Sequence, residues 1–215
     1  MTNTGDPVSQ GLVASLARPG GNVTGNASLS PELNTKRLEI LKDVVSKLAR
    51  VGYLQPRAGR SVLSDLQLNE LRAAAVAQKL KLEEIETEPN AKGLESAFQT
   101  AKQKQVGAIL PFIGNRFFAE RKRIVELAGK YRLPAIYPNK EYVDDGGLMS
   151  YGPDYDDSYR VVAVYVDKIL KGAKPAELPV QQPTKFEFVI NLKAAKQIGL
   201  TIPARVLERA NQVIK

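Results

Sequence analysis

Apolar residues recur at helical spacing in one stretch after another, and short apolar runs of strand length separate those stretches. Leu38, Leu41, Val45 and Leu48 share one face of a helix predicted from Asn34. Val51 to Leu54 reads as a strand stopped by Pro56. Ser64, with Gln67 three residues on, signals a capping box, and the helix it opens is expected to bury Leu68, Leu71, Ala75 and Val76. Lys81 to Thr87 is a strand rich in Glu, which suits a sheet edge. Leu94, Ala97, Phe98 and Ala101 stand at i, i+3, i+4 and i+7 of a helix that follows Gly93. The run from Val106 to Ile113 is continuously apolar, as a strand buried on both faces of a parallel sheet would be. A helix over 117–131, a strand over Leu133 to Tyr137 and another over Leu148 to Tyr151 follow, the last after a Gly146-Gly147 turn.

Asp154 is a strong helix N-cap, with Asp156 and Asp157 near the positive end of the helix dipole. Beyond it Tyr155, Tyr159, Val162, Val166 and Ile169 form one apolar face, and Gly172 ends the helix. Pro175, Pro179 and Pro183 make an extended connector. Phe186 to Ile190 is a strand, Asn191 caps a short helix ending at Gly199, and Pro203 starts a terminal helix. Strands alternating with helices predict an α/β fold, a mostly parallel sheet flanked by helices. Such sheets take ligands outside the carboxyl ends of their strands. That rule selects the segments 55–60, 112–116, 138–142 and 152–155 as candidate site loops.

Composition narrows the chemistry. The 215 residues suit one large domain or two small lobes, and 43% of them are hydrophobic, enough for a sizeable core. There is no Cys and no His, which excludes thiolate zinc sites, disulfides, Ser-His-Asp triads and imidazole metal clusters. The net charge of +8 raises nucleic-acid binding, but the basic residues are scattered. Their densest cluster, Arg121-Lys122-Arg123, is flanked by Glu120 and Glu126, as on a solvated helix face, so no nucleic-acid partner is expected. No stretch approaches the ~18 apolar residues of a membrane span, so no membrane insertion is expected. Met1 to Gln10 is polar and holds no signal-peptide core. Neither a dinucleotide glycine fingerprint nor a P-loop occurs, so no cofactor is expected. The Asp154, Asp156, Asp157 trio lacks calcium-loop spacing and is explained by capping, so no metal is expected either.

Aromatic residues gather at the strand ends: Phe112, Phe117, Tyr137, Tyr142, Tyr151 and Tyr155. Core packing accounts for any one of them as readily as a ligand does, but a cluster there also suits stacking on a flat or apolar molecule. Asn115, Arg116, Asn139, Glu141 and Asp154 are placed to supply orienting polar contacts.

Several segments resemble a known family. They are Gly5-Asp-Pro-Val8, the run from Leu12 to Gly25 (LVASLARPGGNVTG) and Lys36-Arg-Leu-Glu39. Further along come Leu133-Pro-Ala-Ile-Tyr137, Gly146 to Asp154 (GGLMSYGPD), Tyr165 to Gly172 (YVDKILKG) and Pro183 to Leu192 (PTKFEFVINL). In this order, through nearly the whole chain, they resemble the uncharacterised ABC-transporter substrate-binding family that includes tryptophan-binding members. The resemblance implies a type I periplasmic-binding-protein fold, in which two α/β lobes joined by three crossings close over a small solute and deliver it to an ABC permease. It implies a periplasmic protein that is not an enzyme. An amino acid, with an aromatic one favoured, is the solute expected in the inter-lobe cleft.

Family members begin with a signal peptide and about a hundred residues of first lobe, and this chain matches the pattern only from near the end of that lobe. The expected organisation is a second lobe over 30–152 plus 184–215, with 1–29 plus 153–183 as first-lobe remnant and hinge crossings. The helix over 154–171 would then present an uncovered apolar face, so self-association through it is expected. The binding residues expected from strand-end position are Gln55, Phe112, Asn115, Tyr137, Asn139, Tyr151 and Asp154. The aromatics would stack, the amides orient a carboxylate, and Asp154 either pair with an ammonium or simply cap its helix. The rival readings are a ligand-sensing domain of a regulator or receptor and, behind it, an enzyme built on carboxylates or Lys.

Overall fold

The computed structural model of the chain describes residues 1, 2, 4–28, 33–59 and 61–215. Ser30, where the sequence draws a lobe boundary, and Arg60, which ends one candidate loop, lie outside the described residues. The chain divides into two compact units, Met1–Pro31 with Pro153–Phe186 and Glu32–Gly152 with Glu187–Lys215.

The larger unit runs α1 (Leu33–Val44), β1 (Arg50–Pro56), α2 (Val62–Ala77), β2 (Lys81–Thr87), α3 (Ala91–Gln103), β3 (Ala108–Pro111), α4 (Asn115–Ala119), α5 (Arg121–Lys130), β4 (Ile136–Tyr137), α6 (Glu141–Asp144) and β5 (Met149–Pro153). After α7 (Tyr155–Leu170), which belongs to the other unit, come β6 (Phe186–Asn191), α8 (Leu192–Gln197), α9 (Ala204–Leu207) and β7 (Gln212–Ile214). Two sheets form, in the orders β2-β1-β3 and β4-β5-β6-β7. A parallel bridge from Ile109 to Ala135 links them. β1 pairs parallel with β2 and β3, β4 with β5, and β6 with β7.

Strand periodicity sorts the core into two layers. Val51, Tyr53, Ala108, Leu110 and Ile136 join Leu38 and Leu41 of α1 and Leu68 and Leu71 of α2. Their strand neighbours Leu54, Ile109, Ala135 and Tyr137 join Leu94, Phe98, Ile124 and Leu127 of α3 and α5. All four residues of β3 are buried, which is the reason that run is uniformly apolar. β2 lies at the end of its sheet, as its Glu content led one to expect.

Four local expectations are corrected. The capping box of α2 lies three residues upstream: the Ser61 hydroxyl accepts from the Ser64 N–H, and the Ser64 hydroxyl from the Ser61 N–H. Gln67 is buried and engaged elsewhere. Val76 stands about 100° round the helix from Ala75, outside the stripe, and is 79% exposed, while Ala74 and Ala75 are buried. The long helix over 117–131 is two helices, α4 and α5, that meet at Glu120, whose ψ of 13° departs from helical values. The terminal helix is only the short α9. The chain then returns as β7, three residues too short to show a period of two.

In the smaller unit Val13, Ala27 and Val180 form the buried cluster. The chain ends there are tied by backbone hydrogen bonds, Ala27 N–H to the Gln181 carbonyl (2.8 Å) and Val180 N–H to the Leu16 carbonyl (2.7 Å). The connector holds one 3-10 turn, Pro175–Glu177. α7 buries Ser158 and Tyr165, and the Tyr165 hydroxyl donates to the Pro179 carbonyl. Tyr159, Val164, Val166 and Leu170 are all more than half exposed. Among the described residues no helix is long and apolar enough to cross a membrane.

The exposure of Val76 has a direct consequence. Leu71→Ala should cost roughly 2–5 kcal/mol of stability, as a core cavity does. Val76→Ala should stay within about 0.5 kcal/mol. Urea unfolding of the two variants checks both, and equal losses would restore the original stripe.

Candidate functional site

Parallel pairing puts the carboxyl ends of β1, β3, β4 and β5 along one edge of the larger unit. Leu54 pairs with Pro111, and the Phe112 N–H donates to the Leu54 carbonyl (2.8 Å), so Gln55 and Phe112 leave adjacent strands side by side. Tyr137 pairs with Ser150, which brings Pro138 and Asn139 next to Tyr151 and Gly152. The approach there is very close. A Cβ added at Gly152 would stand 1.9 Å from the Pro138 carbonyl oxygen, so only glycine fits.

The predicted residues fall into three groups. Phe112 and Tyr151 are half-buried and packed by one edge, Phe112 against Phe117 (ring centroids 5.6 Å apart) and Tyr151 against Phe188 (6.3 Å). Asn115 is exposed at the start of α4, and Asn139 is half-buried beside Pro138.

Tyr137 and Gln55 are core residues instead. Tyr137 has no exposed surface, and its ring stacks on Tyr142 at 4.7 Å and 8°. Burial, then the neighbouring Tyr142 phenol, pushes its hydroxyl far above the ordinary tyrosine range. A ring held in this way cannot stack on a solute. Gln55 is 5% exposed, and its amide donates to Glu84 (3.3 Å), a carboxylate also gripped by Arg72. Its side chain is turned toward β2.

Asp154 belongs to the other unit. Its carboxylate accepts from the Asp157 N–H (2.9 Å), the N-cap of α7, and Asp157 pairs with Lys185 (2.6 Å).

Two residues outside the expected set shape this edge. Gln67 is wholly buried, and its amide clamps Ile113 by both ends, donating to the carbonyl and accepting from the N–H, each at 3.0 Å. The Tyr53 hydroxyl adds a bond to the same amide oxygen (3.2 Å). The loop carrying Phe112 and Asn115 is thus held from beneath. Arg37, 2% exposed, reaches the Tyr151 carbonyl. Each carries a sequence signal, a polar residue in phase with an apolar stripe: Gln67 with Leu71 and Ala74, Arg37 with Leu41 and Val44.

A hollow of about 490 Å³ lies elsewhere, among Val125, Gly129, Leu133, Gly147, Ala194 and Ile198, before the amino ends of β4 and β5. The rule for parallel sheets gives it no ligand. Among the described residues no three His, Cys, Asp or Glu side chains gather to hold a metal ion.

A family model described as ABC transporter substrate binding protein matches residues 1–214. The chain belongs to that family. Among solved proteins of similar structure is a conserved domain protein from Vibrio cholerae O1 biovar El Tor, 31% identical with a TM-score of 0.87 over 99% of this chain and 70% of that one. A second is the ABC domain of Streptococcus pneumoniae in complex with L-Trp, 31% identical with a TM-score of 0.86 over 100% of this chain and 72% of that one. The tyrosine-binding protein of Clostridioides difficile is 28% identical over 207 residues, 93% of this chain. The chain spans about half the length of that curated relative, 56% of it. The fold of this substrate-binding family member is therefore the α/β, type I periplasmic-binding-protein class.

The clamp on the 112–115 loop predicts a measurable loss. Gln67→Ala leaves the half-buried Ile113 backbone groups without this partner and should cost roughly 1–3 kcal/mol in urea unfolding. A loss below that of an ordinary surface substitution would mean that the loop does not depend on Gln67.

Proposed function

We propose that this chain is the solute-binding component of an ABC importer and that it takes an aromatic amino acid. One wall of the cleft is then the strand-end edge that carries Phe112, Asn115, Asn139 and Tyr151. Binding is the whole of this function and no bond is made or broken. The observation that carries the reading is the pair of half-buried rings, Phe112 and Tyr151, on that edge. It stands in a family with one relative named for tyrosine binding and another crystallised with L-Trp. Flat, half-buried rings at a strand-end edge suit stacking on an indole or phenol. Asn115 and Asn139 supply amides for the solute's carboxylate. Tyr137 and Gln55 support the edge from within, and Asp154 caps α7. Delivery to an ABC permease and a periplasmic location belong to the same reading.

We also propose that the exposed face of α7 seats the same face of a second copy, antiparallel. The first turn carries Asp156 and Asp157, and the last turns carry Lys168 and Lys171. Antiparallel pairing sets each acidic end against a basic end, opposes the two helix dipoles and closes the apolar strip of Tyr159, Val166 and Leu170 on itself.

The chain has no Trp, so indole fluorescence in a titration with L-Trp comes from the ligand alone. L-Trp or L-Tyr should raise the melting temperature, by linkage, and Tyr151→Ala should weaken binding roughly ten-fold. Absence of any shift or fluorescence change at saturating aromatic amino acid would sink the reading. Light scattering after size exclusion should give a dimer that Val166→Asp converts to monomer. A wild-type chain that elutes as a monomer would overturn the pairing of α7.

A further inference from the structure

The Lys36-Arg-Leu-Glu39 segment was singled out above only for its resemblance, and the structure shows what its second residue does. A guanidinium is among the groups least often found without solvent, and that of Arg37 is 2% exposed. Its Nε donates to the Tyr151 carbonyl at 2.7 Å, and its Nη1 donates to Asn34 Oδ1 at 2.9 Å. Arg37 and Asn34 sit one turn apart on α1, so their side chains meet on one face. The bond to β5 spans 114 residues of sequence and joins the first turns of α1 to the end of the strand that bears Tyr151.

The next residue is the tightest point of the edge. Gly152 lies against the Pro138 carbonyl on one side, and Arg37 Nη2 is 3.8 Å from where a Cβ would be. The end of β5 is therefore gripped between the 138–139 loop and the guanidinium. Asn34 is itself 2% exposed, and its Nδ2 has no acceptor among the described residues, so the amide is oriented by its oxygen's bond to Arg37. An apolar pair would fill this space without burying polar groups. A polar pair with a fork-shaped donor fixes a direction, which apolar packing does not.

We infer that Arg37, steadied by Asn34, is a positioning residue that sets the carboxyl end of β5 so that Tyr151 presents its ring to the solute. The inference rests on the binding role proposed above for Tyr151. Arg37 acts on the backbone of that residue, so lysine is not an adequate substitute: its single nitrogen cannot serve the Tyr151 carbonyl and Asn34 in the same fork.

The test uses the whole chain labelled with fluorotyrosine, so that each of the eight tyrosines reports separately, with Tyr151 assigned through Tyr151→Phe. In Arg37→Lys the Tyr151 fluorine resonance should move or broaden while the other tyrosine lines hold their positions. Affinity for L-Trp, read from the ligand's own fluorescence, should fall roughly ten-fold, as expected when a charge-assisted hydrogen bond is lost. Asn34→Ala keeps the guanidinium and removes its support. It should shift the same line by less, and it decides the matter if Arg37→Lys does not fold. A Tyr151 line that stays in place in the folded variants, or a shift shared by all the tyrosines, overturns the inference. If the unaltered chain takes no aromatic amino acid, the binding reading fails on that result alone, and the Tyr151 line still reports whether Arg37 positions it.

Discussion

Core covers both faces of the parallel strands β1 and β3, and this constraint governs the larger unit. Each residue of β3 meets helices on one side or the other, Ala108 and Leu110 toward α1 and α2, Ile109 toward α3 and α5. A strand in that position cannot carry unpaired polar groups along its length. Polar chemistry is pushed to the strand ends, where the chain turns and backbone groups become available. The two helical layers also fix the strands' register, and through it which residues leave adjacent strands together.

Those strand ends are held from below rather than left as free loops. Gln67 reaches from α2 to clamp Ile113 by both sides of its peptide, and Arg37 reaches from α1 to the Tyr151 carbonyl. Both side chains enter from helices of the same layer, and both bonds are to backbone groups rather than to the ring-bearing side chains of the edge. The contact of Gly152 with the Pro138 carbonyl joins β4 and β5 more closely than side chains would allow. An edge built in this way is pre-organised, and under the binding role proposed above that limits the ordering cost of taking a ligand.

The smaller unit follows a different logic. Val13, Ala27 and Val180 make a thin cluster, and α7 anchors itself through Ser158 and Tyr165, seven residues apart on one side of the helix. The adjoining flank carries Tyr159 and Val166 into solvent. A helix with two buried residues and a wet apolar strip draws little stability from its own unit, and that strip is the ground for the pairing proposed above.

Much of this was legible in the sequence. Apolar periodicity reports local burial, so the alternation of helices and strands, the doubly covered β3, the edge position of β2 and the unpartnered strip of α7 could all be read from spacing. The lack of His and Cys excluded whole classes of chemistry without reference to shape. The edge bearing the candidate residues was also legible, because a parallel sheet has one carboxyl side. What the sequence could not assign was the partner of each polar or aromatic side chain on that edge. Tyr137 turned inward onto Tyr142, Gln55 toward Glu84, and the short β7 found β6. Gln67 and Arg37 showed only as polar residues in an apolar phase. Their bonds join groups 46 and 114 residues apart, and no local pattern encodes such a distance. Spacing records whether a side chain is buried; only the packed tertiary structure decides what it is buried against.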